Sequence, residues 1–280
     1  MNTPSFSSHQ IGDFLVTAVS DGNMAASLDL LSPIDSADAE GIQRRAGIIE
    51  PGNIYINAYL IRSPRRTILI DAGTGGINNA GGLLQENLRM LGVNPEDVDT
   101  ILLTHGHPDH IGGLLDAKGH AVYQNATLYL HPLEAKHWRD DDKLTLANER
   151  GQRNFYLVRR VLAAYTQSLR FLDETEVDTG IRPVWLPGHT PGHTGFRIDS
   201  GGQSLLIWGD IVHFPHIQSA QPKVSIAFDC DPAQAEETRK NLLEQIVREK
   251  LLVAGMHFDK QGFAHIYPTA GGYRIAYVEE

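Results

Sequence analysis

The run Thr104-His105-Gly106-His107-Pro108-Asp109-His110 places three imidazoles and a carboxylate within six residues. Imidazole nitrogen and carboxylate oxygen together suit zinc, and also iron, manganese and cobalt, provided the side chains converge on a small volume. One turn between a strand and a helix can supply that convergence. A chance match of four specified residues at a given place is on the order of 1 in 10⁵, so a surface turn that happens to carry histidines is a poor account of the run.

More donors lie elsewhere in the chain. His189 sits in Leu186-Pro187-Gly188-His189-Thr190-Pro191-Gly192-His193-Thr194. Asp210 closes Leu206-Ile207-Trp208-Gly209-Asp210, and His257 closes Val253-Ala254-Gly255-Met256-His257. Asp71 follows the apolar Ile68-Leu69-Ile70. A carboxylate at the end of a buried strand is costly to desolvate unless it is paired or bound to a cation. Polar residues gathered at strand ends mark the usual site location in layered α/β proteins. The remaining histidines, His9, His120, His131, His137, His216 and His265, carry no ligand pattern and read as ordinary surface or core imidazoles.

The elements that must position these donors alternate strand and helix. Residues 14–20 read as a strand ended by Asp21-Gly22, and 22–53 as a long loop with a short helix at 37–45. Strands follow at 54–61 and 67–70, the latter apolar throughout and central. The glycine-rich stretch 73–82 lacks the Gly-Lys-Ser/Thr ending of a phosphate-binding loop and reads as a turn before a helix at 83–91. A strand at 99–103 delivers the chain to the histidine run, and 126–130 is another. From 132 to about 167 the pattern is helical, with Leu157, Val161, Leu162 and Tyr165 at helical spacing. Short strands are expected at 184–186, 195–198 and 204–208. Asp231, Pro232 and Gln234 supply an N-cap, a first-turn proline and a capping-box partner for a helix reaching about 250. A strand at 251–254 then ends just before His257.

The chain has 280 residues, 41% of them hydrophobic, which is enough for a sizeable core. Its net charge of −10 argues against binding nucleic acid through phosphates and against attraction to anionic membranes. The single cysteine, Cys230, excludes an internal disulfide and a cysteine-based zinc cluster. The polar stretch from Met1 to Gly12 does not read as a signal peptide, and no apolar run approaches the roughly 20 residues of a membrane span. The expected compartment is the cytoplasm. The expected organisation is one α/β domain over 1–280, built of two packed sheets with helices outside. An N-terminal extension covers about 1–50 and a helical insertion about 132–170.

Taken together, His105-x-His107-x-Asp109-His110, His189, Asp210 and His257, with Asp71 as the first motif, resemble the metallo-β-lactamase superfamily over about residues 55–260. The resemblance implies an αββα sandwich of two mixed sheets flanked by helices. It implies that His105, His107 and His189 hold one divalent ion, that Asp109, His110 and His257 hold the other, and that Asp210 bridges them. Zinc is the first expectation for both. Asp71 would orient a ligand histidine by a hydrogen bond, and His193 would either do the same or make a purely structural hydrogen bond. Two ions about 3.5–4 Å apart can share one hydroxide and polarise a substrate oxygen together, so the expected enzyme is a dinuclear hydrolase. Asp109 could also carry a proton.

The substrate class must be read separately. Those β-lactamases that resemble this site lack the aspartate found here as Asp210, and a tRNA-processing nuclease fits poorly with the acidic balance. A glyoxalase II-like thioesterase keeps the same ligands, but its glutathione site is a basic C-terminal region, and only Arg274 lies after Lys260. An iron-dependent sulfur dioxygenase would need one metal, against an intact second set. The blocks Gly209-Asp210-Ile211-Val212-His213, Asp229-Cys230-Asp231-Pro232 and Gly255-Met256-His257-Phe258 are similar to the branch of methyl parathion hydrolase and the quorum-quenching lactonases. That likeness implies neutral ester substrates, namely lactones, aryl esters or phosphotriesters, and a homodimer. Many of those lactonases carry tyrosine three residues after the bridging aspartate, where this chain has His213, a candidate substrate contact. Trp138, Phe155 and Phe214 are the expected pocket walls.

Overall fold

Alternation along the strands sorts the apolar side chains into three layers. The structure is a computed structural model that describes residues 6–259 and 262–278. In chain order its strands are β1 (Ser8–Ile11), β2 (Phe14–Ala25), β3 (Leu31–Ser32), β4 (Asn53–Arg62), β5 (Thr67–Ile70), β6 (Thr100–Leu102), β7 (Thr127–Leu130) and β8 (Leu169–Phe171), followed by β9 (Ile181–Trp185), β10 (Thr194–Ser200), β11 (Gln203–Ile207), β12 (Ser225–Ile226), β13 (Leu252–Ala254), β14 (Phe263–Thr269) and β15 (Gly272–Tyr277). The helices are α1 (Ser36–Arg45), α2 (Leu84–Met90), α3 (Pro108–Ile111), α4 (Pro132–Arg139), α5 (Asp141–Leu146), α6 (Glu149–Ala164), α7 (Pro215–Ala220) and α8 (Pro232–Glu249).

Among the described residues one sheet runs β1-β2-β4-β5-β6-β7-β8 and the second β15-β14-β13-β11-β10-β9, with β3 and β12 forming a small ribbon. The run β5 to β8 is parallel, as is the pair β11 and β13, while the other neighbours are antiparallel. In β4, Tyr59 and Ile61 point between the sheets, where they meet Phe196, Ile198 and Ile207. Ala58 and Leu60 point the other way, toward Leu84 and Leu88 of α2 and Phe155 and Val158 of α6. In β11, Leu205 and Ile207 face the inter-sheet layer and Leu206 faces Leu242, Leu243 and Ile246 of α8. Period-2 alternation with both faces covered yields the αββα sandwich that the sequence implies. Among the described residues no helix is long and apolar enough to cross a membrane.

Four differences from the sequence reading have local physical causes. The strand expected to stop at Asp21-Gly22 instead continues as β2 to Ala25. The register against β4 slips between Ser20 and Gly22, a bulge at which Gly22 takes φ +113°. Asp21 is therefore buried in mid-strand, where it accepts hydrogen bonds from Thr74 N, Thr74 Oγ1 and Leu84 N and anchors the glycine-rich loop and the start of α2. The N-terminal extension thus supplies β1 and β2 to the first sheet, with residues 1–5 outside the described residues. The helical stretch from 132 divides into α4, α5 and α6, because Asp140 and Asn148 turn their side chains onto Lys143 N and Gly151 N as N-caps. A β14–β15 hairpin follows the last expected strand and closes the second sheet.

The parallel strands deliver the functional loops. Asp71 follows β5, Thr104 to His110 follow β6, Asp210 follows β11 and His257 follows β13, so the C-terminal ends of strands from both sheets share one rim.

Candidate metal centre

At that rim the donor set converges. Pro108 occupies the first position of α3, so the chain leaves β6, turns at His107 and puts Asp109 and His110 into the first helical turn. His107 Nδ1 lies 3.0 Å from His105 Nε2 and 2.9 Å from His189 Nε2, and the last two nitrogens are 3.2 Å apart. Three imidazole lone pairs this close repel one another unless something positive lies between them. The spacing fits one ion with bonds of about 2.0–2.1 Å to nitrogen. Asp109, His110, Asp210 and His257 form a second group, with one donor atom from each lying within 4.8 Å of all the others.

Asp210 lies between the two groups. Its Oδ2 is 3.1 Å from both His110 Nε2 and His257 Nε2, and 3.8 and 3.7 Å from His105 Nε2 and His189 Nε2. Its Oδ1 is buried and has no hydrogen-bond partner among the described residues. Such an orphaned oxygen is costly in a closed site and suits a cation. Burial opposes its ionisation, but His110, His257 and His213 outweigh that and hold the carboxyl well below its usual range. Burial, reinforced by neighbouring imidazoles, pushes His105 and His107 well below the ordinary histidine value, which favours the neutral form that ligates, whereas Asp210 and Asp109 overcome burial and raise His110 and His257.

The outer nitrogens are anchored, and the anchors select the tautomers. His110 Nδ1 donates to Asp71 Oδ2 at 2.7 Å, and His257 Nδ1 donates to the Tyr55 carbonyl at 2.8 Å. Thr104 Oγ1 donates to Asp71 Oδ2, which leaves it to accept from His105 Nδ1 at 3.0 Å. Each of these rings then aims Nε2 at the centre, where a bound cation would require His110 and His257 to give up their second proton. Asp71 also accepts from Thr104 N, and it holds the uncommon φ of +60° at the end of β5. His193, whose burial lowers it to about 3, donates from Nδ1 to Leu186 O and accepts at Nε2 from Asp210 N. The close approach of that ring requires Gly209, since a Cβ there would overlap His193 Nε2.

Two positioning carboxylates escaped the sequence reading. Asp229 Oδ1 accepts from His189 Nδ1 at 2.8 Å, while its Oδ2 accepts from Ile226 N and lies 3.8 Å from Arg239. Asp229→Asn cannot serve both donors without turning an NH₂ toward one of them. We expect metal affinity at the His105/His107/His189 group to fall by about 10- to 100-fold, read by competition with a chromophoric chelator. An unchanged affinity would remove Asp229 from the site. Glu134 of α4, fully buried, accepts from Gly106 N and Trp138 Nε1 through Oε1 and from Thr190 Oγ1 and Gly192 N through Oε2. Asp229 opens the Asp229-Cys230-Asp231-Pro232 block, which carries a likeness but no assigned role, and no motif spacing marks Glu134. Each touches the centre through a loop distant in sequence.

Above the donors lies a cavity of about 380 Å³, lined by His107, Asp109, Asp210 and His213 on the polar side and by Trp138, Phe155 and Phe228 on the apolar side. Phe214, read from the sequence as a wall, is instead fully buried among Leu31, Ala39, Ile217 and Val224, because it closes the loop that starts α7. His213 packs beside the centre with Nε2 3.1 Å from Asp210 Oδ2, and burial lowers it to about 4.

The sequence profile described as the metallo-beta-lactamase superfamily matches residues 51–257. Among solved structures, the hydrolase AbOPH of the beta-lactamase superfamily is 29% identical with a TM-score of 0.92, covering 100% of this chain and 99% of its own. AidC, a dizinc quorum-quenching lactonase solved with a homoserine product, is 25% identical with a TM-score of 0.92, covering 98% of each chain. An atrochrysone carboxyl ACP thioesterase of Passalora fulva is 27% identical over 56% of this chain, which spans only 38% of that relative's length.

Proposed function

The chain belongs to the metallo-β-lactamase superfamily, and on that premise we propose that it is a dinuclear metal-dependent hydrolase of lactones, aryl esters or phosphotriesters. The observation that carries the proposal is the Asp210 carboxylate, whose Oδ2 stands within 3.8 Å of imidazoles from both donor groups. His105, His107 and His189 would hold one ion, Asp109, His110 and His257 the other, and Asp210 both. Bound there, two divalent ions, with zinc the first choice, supply Lewis acidity and an activated water near neutral pH.

The chain's own residues do the rest. Trp138, Phe155 and Phe228 give the uncharged acyl, aryl or alkoxy part of a substrate an apolar wall, which also excludes water from the reacting group. Asp109, 3.5 Å from His110 Nε2 and 3.7 Å from His257 Nε2, lines the cavity and is the carboxylate placed to take a proton from the attacking water. His213, with Nε2–H on Asp210, keeps Nδ1 as a buried acceptor without a partner among the described residues, free to receive a hydrogen bond from a polar substrate. In net terms the water oxygen bonds to the carbonyl carbon or phosphorus, the bond to the leaving oxygen breaks, and the alcohol leaves with a proton.

A panel on metal-loaded protein tests this reading: acyl-homoserine lactones, simple lactones, aryl esters, methyl parathion, a thioester and a cephalosporin. We expect close to two metals per chain, with the fastest turnover on the lactone, aryl ester or phosphotriester members and loss of that turnover on chelation. One iron per chain with oxygen uptake, or a dominant cephalosporin signal, would overturn it. A dominant thioester signal would favour the second reading, thioester hydrolysis, which the thioesterase among the relatives supports.

A further inference from the structure

The cleft does not end at the apolar wall. A second lobe of about 860 Å³ adjoins the first and shares Met24, Pro108, Asp109, Arg150 and Asn154 with it. One face of α6 forms its side: Arg150, Arg153, Leu157 and Arg160 recur at steps of 3, 4 and 3 residues and all border the lobe. The opposite face of α6 buries Phe155, Val158, Val161 and Leu162 against the first sheet, so the helix cannot rotate those arginines away. The amides of Asn23, Asn78, Asn79 and Asn154 fill much of the remaining lining.

The charge pattern runs against the rest of the molecule. In a chain of net charge −10, this lobe is lined by three guanidinium groups, and the carboxylate among its lining residues is Asp109, which already faces the metal centre. Arg153 is paired with Glu149 at 2.6 Å. Arg150 lies over the Phe228 ring, with its guanidinium carbon 4.1 Å from the ring centroid, and neither it nor Arg160 has a carboxylate partner among the described residues. Two arginines without a carboxylate partner along one wall of the cleft leave positive potential where a ligand would extend.

We propose that this lobe is a subsite for an anionic substituent, so that the preferred substrate is an ester uncharged at its scissile bond but carrying a carboxylate or phosphate on its distal end. The inference rests on the hydrolase reading and deepens it. Arg150 and Arg160 supply the attraction, and the asparagine amides donate the remaining hydrogen bonds to the anion.

Three phenyl esters with the same leaving group isolate the effect: phenyl hexanoate, monophenyl adipate and the phenyl ester of 6-phosphohexanoic acid. In each, water cleaves the acyl C–O bond and releases phenol, so the reacting centre is constant while the distal end changes. The charged esters are expected to exceed phenyl hexanoate in kcat/KM by about 5- to 10-fold, mainly through KM, and the advantage should shrink at high salt. In the R150Q/R160Q double variant the ratio should collapse to about 1–2. A gain for both anions assigns the subsite to negative charge in general, and a gain for the phosphate alone assigns it to phosphate. Equal rates for all three esters, or a ratio that survives the double variant, overturn the inference while leaving the hydrolase reading intact. If none of the esters turns over, aryl esters drop out of the hydrolase reading, and the lactone and phosphotriester members of the panel decide what remains of it. Calorimetric titration then decides the subsite without turnover: adipate must bind more tightly than hexanoate in the unaltered protein and lose that advantage in R150Q/R160Q, or the subsite is rejected.

Discussion

Asp210→Ala is expected to reduce the metal content from the two ions proposed per chain to at most one and to lower turnover by about 10³-fold or more. The size follows from position. Asp210 Oδ2 is within 3.8 Å of ring nitrogens on His105, His110, His189, His213 and His257, and it is the carboxylate that reaches both donor groups. Without it the His105/His107/His189 triangle keeps its three nitrogens and can still take one ion. The other group loses the oxygen that lies 3.1 Å from two of its imidazoles and is left with Asp109, His110 and His257. Asp210→Asn separates charge from shape: it keeps the volume but removes the anion that balances the imidazoles. Both variants should therefore fail alike in metal analysis and in ester hydrolysis, and wild-type turnover with two metals in either would sink the dinuclear reading.

The histidine run, Asp210 and His257 stood out in the sequence because each follows a buried apolar strand, whereas His189 comes after the more exposed β9 and stood out through its Pro-Gly-His-Thr setting. Strand ends are where a chain can place a polar group at the rim of a core, so local pattern and site coincide. Asp71 follows β5 in the same way, whereas His193 precedes β10 and was picked out only by the resemblance; His110 Nδ1 donates to Asp71 and Asp210 N donates to His193. The layered fold followed from apolar runs too short for helices and too continuous for one-sided strands. What the sequence hides is of two kinds. The bulge at Asp21-Gly22 looks like a turn, because the same residues serve both, and only pairing with β4 tells them apart. Phe214, Asp229 and Glu134 depend on tertiary placement: an aromatic beside a motif can face the cavity or the core, and a carboxylate in a helix or loop shows no sign of which distant amides it meets. The β14–β15 hairpin carries its own signal in the Gly271-Gly272 turn and the buried Phe263, Ala264, Ile266 and Ile275, but the hairpin is short and its tip is exposed.

Glu134→Gln should lower unfolding free energy by about 3 kcal/mol and weaken metal binding at the His105/His107/His189 group by about 10- to 100-fold. Glu134 is fully buried and takes four hydrogen bonds, two on each oxygen. Three of the donors are N–H groups that cannot accept, namely Gly106 N, Trp138 Nε1 and Gly192 N. Burial pushes the Glu134 carboxyl up, while the four donors favour its ionised form. A glutamine has one acceptor oxygen, so whichever way its amide lies, its NH₂ opposes at least one backbone N–H. If it faces Gly106 and Trp138, two donors are stranded. The loss is not confined to stability, because Gly106 lies between His105 and His107, and Thr190 follows His189. The carboxylate thus clamps the loop after β6 to the loop before β10, and with it the 2.9 Å contact between His107 Nδ1 and His189 Nε2. Urea unfolding of the metal-free protein isolates the structural loss, which should appear as a lower midpoint with an unchanged slope. Chelator competition on the folded variant reads the second effect. A Glu134→Gln protein that loses stability but binds metal as tightly as the unaltered chain would reduce Glu134 to a packing residue. One that keeps both would show that the two loops are held together by something else.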